Sequence, residues 1–376
     1  MAEPAVGRAG VRDAPDAGSD ADAGADADAG AGAVATPVAA LFPGQGSQAL
    51  GMGRALYEAS PAARAVLDEA DVTLPGLLRC MWEGPADELR ATANQQPALV
   101  AAGVAALAAW REAGGAPLTH AAGHSLGEYS ALVAAGSLTL ADALRLVRAR
   151  GEAMQRAVPA GEGAMAAVLK TDAAHVAQTV AQVGGAVEIA NLNSPRQTVI
   201  SGAAAAVADA VGRLARDGAR AVPLDVSAPF HCSLMAPAAE ALAPLLAATS
   251  FAPPTLCVIA NVTADEITSG ADARSLLVQQ VTAPVRWVET LERLHAMGVR
   301  RYVELGSGSV LTGLVRRTLS GVQAHAVHDP ESLRAALTAL EPAAQEPAAQ
   351  EPAAQEPAAQ EPAAHEPASS SLEEER

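Results

Sequence analysis

Gly123-His124-Ser125-Leu126-Gly127 lies between a short extended stretch, Thr119-His120-Ala121-Ala122, and a helix-prone one, Glu128-Tyr129-Ser130-Ala131-Leu132-Val133-Ala134-Ala135. A strand that runs into G-x-S-x-G and leaves as a helix is the setting of a nucleophile elbow in an α/β fold. Two glycines let the chain turn sharply with no Cβ in the way, lifting the Ser125 hydroxyl above the sheet edge. The following helix directs its unpaired N–H groups and positive dipole end back at the serine. Gly, Ser and Ala are abundant here, so an ordinary glycine turn is the competing reading of these five residues. The rest of the chain decides between them.

Working outward, 376 residues suffice for one large or two smaller domains. The formal charge of -17 is unevenly spread. Residues 1–36 hold seven acids against two arginines, residues 341–376 nine against one, and only -4 falls between. With no basic run and few aromatics, nothing points to nucleic acid. Three cysteines (Cys80, Cys232, Cys257) without metal-ligand spacing fit a reducing compartment and no metal site. The first residues lack a charged and an apolar segment of a secretory signal, and the apolar run Pro97–Trp110 is too short to span a bilayer. A cytoplasmic protein with no membrane association is expected.

Residues 1–36 (Ala/Gly/Asp-rich) and 341–376 (Glu-Pro-Ala-Ala-Gln repeats) read as disordered tails. Between them, Val38–Phe42 reads as a buried strand entering Pro43-Gly44-Gln45-Gly46-Ser47-Gln48. That loop lacks the Lys-Ser/Thr of a P-loop and the third glycine of a dinucleotide fingerprint. A helix is expected over Pro97–Ala113 with proline in its first turn, and another from about Thr139 to Val158. Residues 162–225 change texture. Strands at Ala164–Leu169, Val187–Ala190, Thr198–Ile200 and Ala219–Leu224 alternate with helices at Asp172–Val183 and Ala204–Asp217. This β-α-β-β-α-β order is ferredoxin-like. The expected architecture is a large α/β-hydrolase-like body with a parallel sheet (37–161 and 226–340) plus a small inserted ferredoxin-like α+β subdomain (162–225).

A serine hydroxyl needs a base to act as a nucleophile. Of eight histidines, His231 stands where the chain re-enters the body after Pro229-Phe230. On sequence position alone, a packed or surface histidine explains it as well as a catalytic one. Arg150, twenty-five residues after Ser125, reads either as a solvated arginine or as a buried anion clamp. Cys232 beside His231 reads as a small buried residue.

Eight motifs, in order, carry a resemblance. They are Leu41-Phe42-Pro43-Gly44-Gln45-Gly46-Ser47-Gln48, Gln96-Pro97-Ala98-Leu99, Gly123-His124-Ser125-Leu126-Gly127-Glu128-Tyr129, and Arg150-Gly151 with Met154. They continue with Asn191-Leu192-Asn193-Ser194-Pro195, Pro229-Phe230-His231, Ala283-Pro284-Val285-Arg286-Trp287 and Glu304-Leu305-Gly306-Ser307-Gly308. Over about residues 37–340 the chain resembles malonyl-CoA:acyl-carrier-protein transacylases and the acyltransferase domains of polyketide and fatty-acid synthases.

The resemblance implies ping-pong chemistry with malonyl-CoA as donor, the phosphopantetheine thiol of an acyl carrier protein as acceptor, and no bound cofactor. It makes Ser125 the nucleophile and His231 the base, oriented by a backbone carbonyl at Gln280. The oxyanion hole falls to the backbone N–H groups of Gln45 and Leu126. Arg150 would hold the free malonyl carboxylate, with Gln96 and Asn191 as pocket-lining polar residues. Phe230, where some members carry serine, goes with malonyl over methylmalonyl. Gly306-Ser307-Gly308 departs from the family's Gly-Pro-Gly. A monomer is expected, with a basic carrier-docking patch drawn from Arg286, Arg316 and Arg317. The pathway served, fatty-acid or polyketide, stays open, and a trans-acting polyketide acyltransferase, an acyl-thioester hydrolase and an idle docking module are the alternatives.

Overall fold

The computed structural model describes residues 36–340; the two expected tails lie outside the described residues. Its strands are β1 (Val38–Phe42), β2 (His120–Gly123), β3 (Gly163–Leu169), β4 (Val187–Ser194), β5 (Gln197–Ala203), β6 (Arg220–Pro223), β7 (Cys257–Ile259), β8 (Arg301–Leu305) and β9 (Gln323–Val327). They form two sheets. The larger has the order β7-β2-β1-β8-β9 and is parallel throughout. The central β1, Val-Ala-Ala-Leu-Phe, is buried at every residue, as a strand covered on both faces must be.

β1 and β2 pair with Phe42 opposite Gly123, so the loops that follow both strands leave the sheet side by side. Ligands of open parallel sheets collect outside such carboxyl ends. The fold thereby brings Gly44-Gln45-Gly46 next to His124-Ser125-Leu126.

The smaller sheet has the order β4-β5-β3-β6 with antiparallel pairs. With helices Ala173–Ala181 and Ala204–Arg216, this is the expected ferredoxin-like unit. Its two helices bury Val176, Val207, Ala210 and Leu214 against Val168, Val187 and Ile200.

Several elements differ from expectation. The helix expected from Pro97 begins at Thr92 and ends at Glu112, leaving Pro97 inside it. The earlier start is held by tertiary contacts. The Gln155 side chain accepts from the Ala93 N–H at 3.1 Å, and a Cβ on Gly151 would fall 2.7 Å from the Thr92 carbonyl oxygen. Close approach of the helix Leu140–Ala157 thus fixes the first turn. The sequence reading ends β4 at Ala190; it continues to Ser194, paired with β5 at Asn191, Leu192 and Ser194 and flanked on its other edge by Val285, which donates to the Ala190 carbonyl and accepts from Leu192 N–H, both at 2.9 Å. β9 was not foreseen: Gln-Ala-His-Ala-Val is poor in β-branched and aromatic residues and gains its geometry by pairing with β8.

Candidate active site

The turn after β2 is held by two close backbone approaches. A Cβ on Gly123 would lie 1.9 Å from the Gly127 carbonyl carbon, and one on Gly127 would lie 2.0 Å from the Phe42 carbonyl oxygen. The glycines are there for want of space. Ser125 itself carries the left-handed conformation, with φ 51°, an arrangement that costs a non-glycine residue energy and persists only when its surroundings impose it. Since Gly127→Ala drives a methyl into backbone, it is expected to lose about 3 kcal/mol or more of stability in urea unfolding. A loss below 1 kcal/mol would mean that the turn relaxes freely.

His231 also has positive φ, 59°, which points its ring at the elbow. Ser125 Oγ and His231 Nε2 are 2.6 Å apart. His231 Nδ1 faces two carbonyl oxygens, Gln280 at 2.9 Å and Ala283 at 3.1 Å. Carbonyls only accept, so Nδ1 carries the proton and Nε2 is left to accept from the serine. No carboxylate is needed to set this tautomer. Burial, with the nearby Arg150 cation second, pulls the His231 pKa down to about 3, so the ring is a neutral base at physiological pH.

Arg150, from the helix Leu140–Ala157, is 1 % exposed. One terminal nitrogen donates to Gln96 Oε1 at 3.0 Å; the other donates to Gln280 Oε1 at 2.9 Å and to Ser125 Oγ at 3.2 Å. Among the described residues it has no carboxylate within ion-pair distance, and its charge lies over the Tyr129 ring at 5.9 Å. A buried guanidinium held only by amides, a hydroxyl and a ring is a charge waiting for an anion.

The Ser125 N–H is taken by Asn261 Oδ1 at 2.6 Å, whereas those of Gln45 and Leu126 meet no protein acceptor among the described residues. Two donors on adjoining loops are therefore left unpaired among the described residues, the kind of group from which an oxyanion hole is built.

A cavity of about 670 Å³ opens onto this cluster, lined in part by Gln45, Ser125, Arg150, Asn191, Phe230 and His231. Gln96 does not line it. It is 0 % exposed and sits behind Arg150, with its neighbour Gln95 facing the cavity instead. Successive helix positions diverge by about 100° around the axis, so only one of the pair can face inward. Gln96 therefore holds the arginine from behind the cavity wall. Of the arginines expected to form a docking patch, Arg286 pairs with Glu289 and Arg316 donates to the Ala324 carbonyl, and none of the three, Arg317 included, lines the cavity itself. Arg90 and Asp87 occupy its rim. Cys232 is buried, donates to the Pro229 carbonyl, and has its pKa raised by burial, as befits a packing residue.

Sequence reading assigned no role to three polar residues. Asn261 holds the Ser125 N–H, Asn193 Oδ1 lies 2.7 Å from His124 Nε2, and Glu128 is fully buried beneath the elbow. Single amides that bond to distant partners leave no periodic signal. Glu128 did leave one, a carboxylate opening the apolar helix Gly127–Ala134.

A family model for the acyl transferase domain matches residues 40–336. The chain belongs to that family. It is 48 % identical over 309 residues to the malonyl CoA-acyl carrier protein transacylase of Bacillus subtilis (strain 168), covering 81 % of this chain and 97 % of that protein. The corresponding enzyme of Escherichia coli (strain K12) is 44 % identical over 306 residues, or 80 % and 99 % of the two chains. Among solved structures, a type II PKS acyl-carrier protein in complex with its malonyl-transacylase matches at TM-score 0.79 and 44 % identity, covering 81 % of this chain and 99 % of that one.

Within this acyl transferase, two buried groups act oppositely on stability. His231 falls from 6.5 to about 3, so the unfolded chain binds more protons between those values and stability drops as pH falls through that window. Glu128 rises from 4.5 to about 7, mainly through burial, so the folded chain binds more protons there and stability drops as pH rises through that window. Acylation of Ser125 should be flat from about pH 5.5 to 8, because the base is already neutral. A rise centred near 6.5 in single-turnover kinetics would show His231 titrating as an ordinary histidine.

Proposed function

We propose that this acyltransferase carries a malonyl group from coenzyme A to the phosphopantetheine thiol of an acyl carrier protein through an ester on Ser125. In this reading His231 Nε2 takes the hydroxyl proton as Ser125 Oγ attacks the thioester carbonyl. The tetrahedral oxyanion is stabilised by the N–H groups of Gln45 and Leu126. Collapse expels the coenzyme A thiolate, which receives the proton from His231. The carrier's thiol then repeats the sequence in reverse.

One observation carries the choice of acyl group. Arg150, buried and without a carboxylate partner among the described residues, stands 3.2 Å from the nucleophile's hydroxyl. A neutral acyl chain would leave that charge unpaired; a malonyl carboxylate completes it bidentately. Phe230 lines the cavity beside His231 and narrows the room at the α-carbon, although a single methyl gives only about 1–3 kcal/mol of discrimination. Asn191, also at the cavity wall, offers a polar contact to the acyl thioester. The enzyme works as a cytoplasmic monomer with no bound cofactor in this reading. No described helix is long and apolar enough to cross a membrane.

The test is malonyl-CoA consumption with and without holo carrier protein. Consumption that requires the carrier and yields malonyl-carrier supports the transferase. Equal consumption without it, with free malonate as product, makes the chain a thioester hydrolase.

A further inference from the structure

Glu128 opens the helix after the elbow, is 0 % exposed, and takes no part in the steps above. Its Oε2 accepts from the Asn261 backbone N–H and from Gln280 Nε2, both at 2.9 Å. These two residues grip the two ends of Ser125. Asn261 Oδ1 accepts from the Ser125 N–H at 2.6 Å, and Asn261 Nδ2 donates to the Gly123 carbonyl at 2.7 Å. Gln280 Nε2 donates to the Ser125 carbonyl at 3.0 Å, while Gln280 Oε1 accepts from Arg150.

One carboxylate oxygen is thus the common anchor of two amide clamps. One clamp imposes the strained φ of Ser125, and the other holds both the serine carbonyl and Arg150. We propose that Glu128 is a positioning residue for both the nucleophile and the carboxylate-binding arginine, acting through Asn261 and Gln280.

The role needs an acceptor for two N–H groups at once, and it does not need charge. Glu128 Oε1 is buried with no partner among the described residues, so a proton can reside there while Oε2 keeps both its donors. The charged and titratable groups that face the carboxyl are Arg150, from the helix Leu140–Ala157, and Tyr129 next in the chain. Glutamine can supply the same acceptor, at the expense of buried N–H groups where Oε1 now lies. That expense should register in stability and not in rate.

The experiment measures the rate of Ser125 acylation at saturating malonyl-CoA and acetyl-CoA in wild type, Glu128→Gln, Glu128→Ala and Asn261→Ala, with thermal unfolding alongside. Glu128→Ala is expected to acylate about 100-fold more slowly and to lose malonyl-over-acetyl preference, while Glu128→Gln stays within about threefold of wild type. Between about pH 6 and 8 the profiles of wild type and Glu128→Gln should superimpose. Asn261→Ala leaves Glu128 and Gln280 in place, so it should slow acylation about tenfold yet keep the acyl preference.

Glutamine as slow as alanine, a wild-type inflection near neutral pH that glutamine abolishes, or alanine at the wild-type rate would each overturn the inference. If Glu128→Ala does not fold, Asn261→Ala at the wild-type rate overturns it. The inference rests on Ser125 as the acylated residue. Absence of a wild-type adduct at Ser125 therefore refutes that reading, whereas a wild-type adduct with unaffected variants refutes this one alone.

Discussion

His231→Ala is expected to slow malonylation of Ser125 by roughly 10²–10⁴-fold while leaving the affinity for malonyl-CoA nearly unchanged. Among the described residues the hydroxyl has no other base in reach. Its remaining polar contact is with Arg150, at 3.2 Å, and a guanidinium donates without accepting. The loss should fall on the chemical step, because His231 meets the serine proton and does not hold the acyl carboxylate. Rapid-quench acylation separates the two quantities. A variant within tenfold of wild type would mean that another group takes the proton. The fold should survive, since among the described residues the His231 ring bonds, apart from Ser125 Oγ, only to the carbonyls of Gln280 and Ala283, and circular dichroism checks this.

The second large effect belongs to Arg150. Removing one partner of a buried charge-assisted pair costs about 2–5 kcal/mol, so Arg150→Ala should lower malonyl transfer by roughly 30- to 5,000-fold. Acetyl transfer, which never uses the guanidinium as a counter-ion, should fall much less. The malonyl-to-acetyl ratio is therefore the diagnostic quantity. Arg150→Lys keeps a positive charge but lacks the fork that reaches Gln96, Gln280 and Ser125 together, so it should recover only part of the ratio. There is also a coupled consequence. Arg150 helps to hold the His231 pKa low, so its removal should move the acid limb of the acylation profile upward. A preserved malonyl-to-acetyl ratio in Arg150→Ala would place the carboxylate elsewhere.

The elbow was legible because it rests on backbone necessity, whereas the roles of His231, Gln280, Gln45 and Arg150 came only with the family resemblance. Gly123 and Gly127 are spelled out by space alone, and a strand–turn–helix pattern around a serine leaves few other geometries. The ferredoxin-like order of strands and helices was equally readable, since alternating short elements specify a connection pattern without reference to the rest of the chain. What depended on distant partners was not. Gln95 and Gln96 are adjacent in sequence yet only Gln95 lines the cavity, and the start of their helix, fixed by Gln155 and Gly151 from another helix, decides which one does. β4 extends past Ala190 because β5 pairs with it to Ser194 and Val285 bonds to its other edge, and β9 exists because β8 offers one. Asn261 lies 136 positions from the serine it clamps, and nothing in its own neighbourhood marks it.

Intact-protein mass spectrometry after brief mixing with malonyl-CoA bears most directly on the central claim, with acetyl-CoA, methylmalonyl-CoA and a Ser125→Ala control in parallel. The account predicts a malonyl adduct that maps to Ser125, is absent from the control, and disappears on addition of holo acyl carrier protein as malonyl-carrier forms. An adduct on another residue, or malonyl-carrier formed at the wild-type rate by Ser125→Ala, would contradict it.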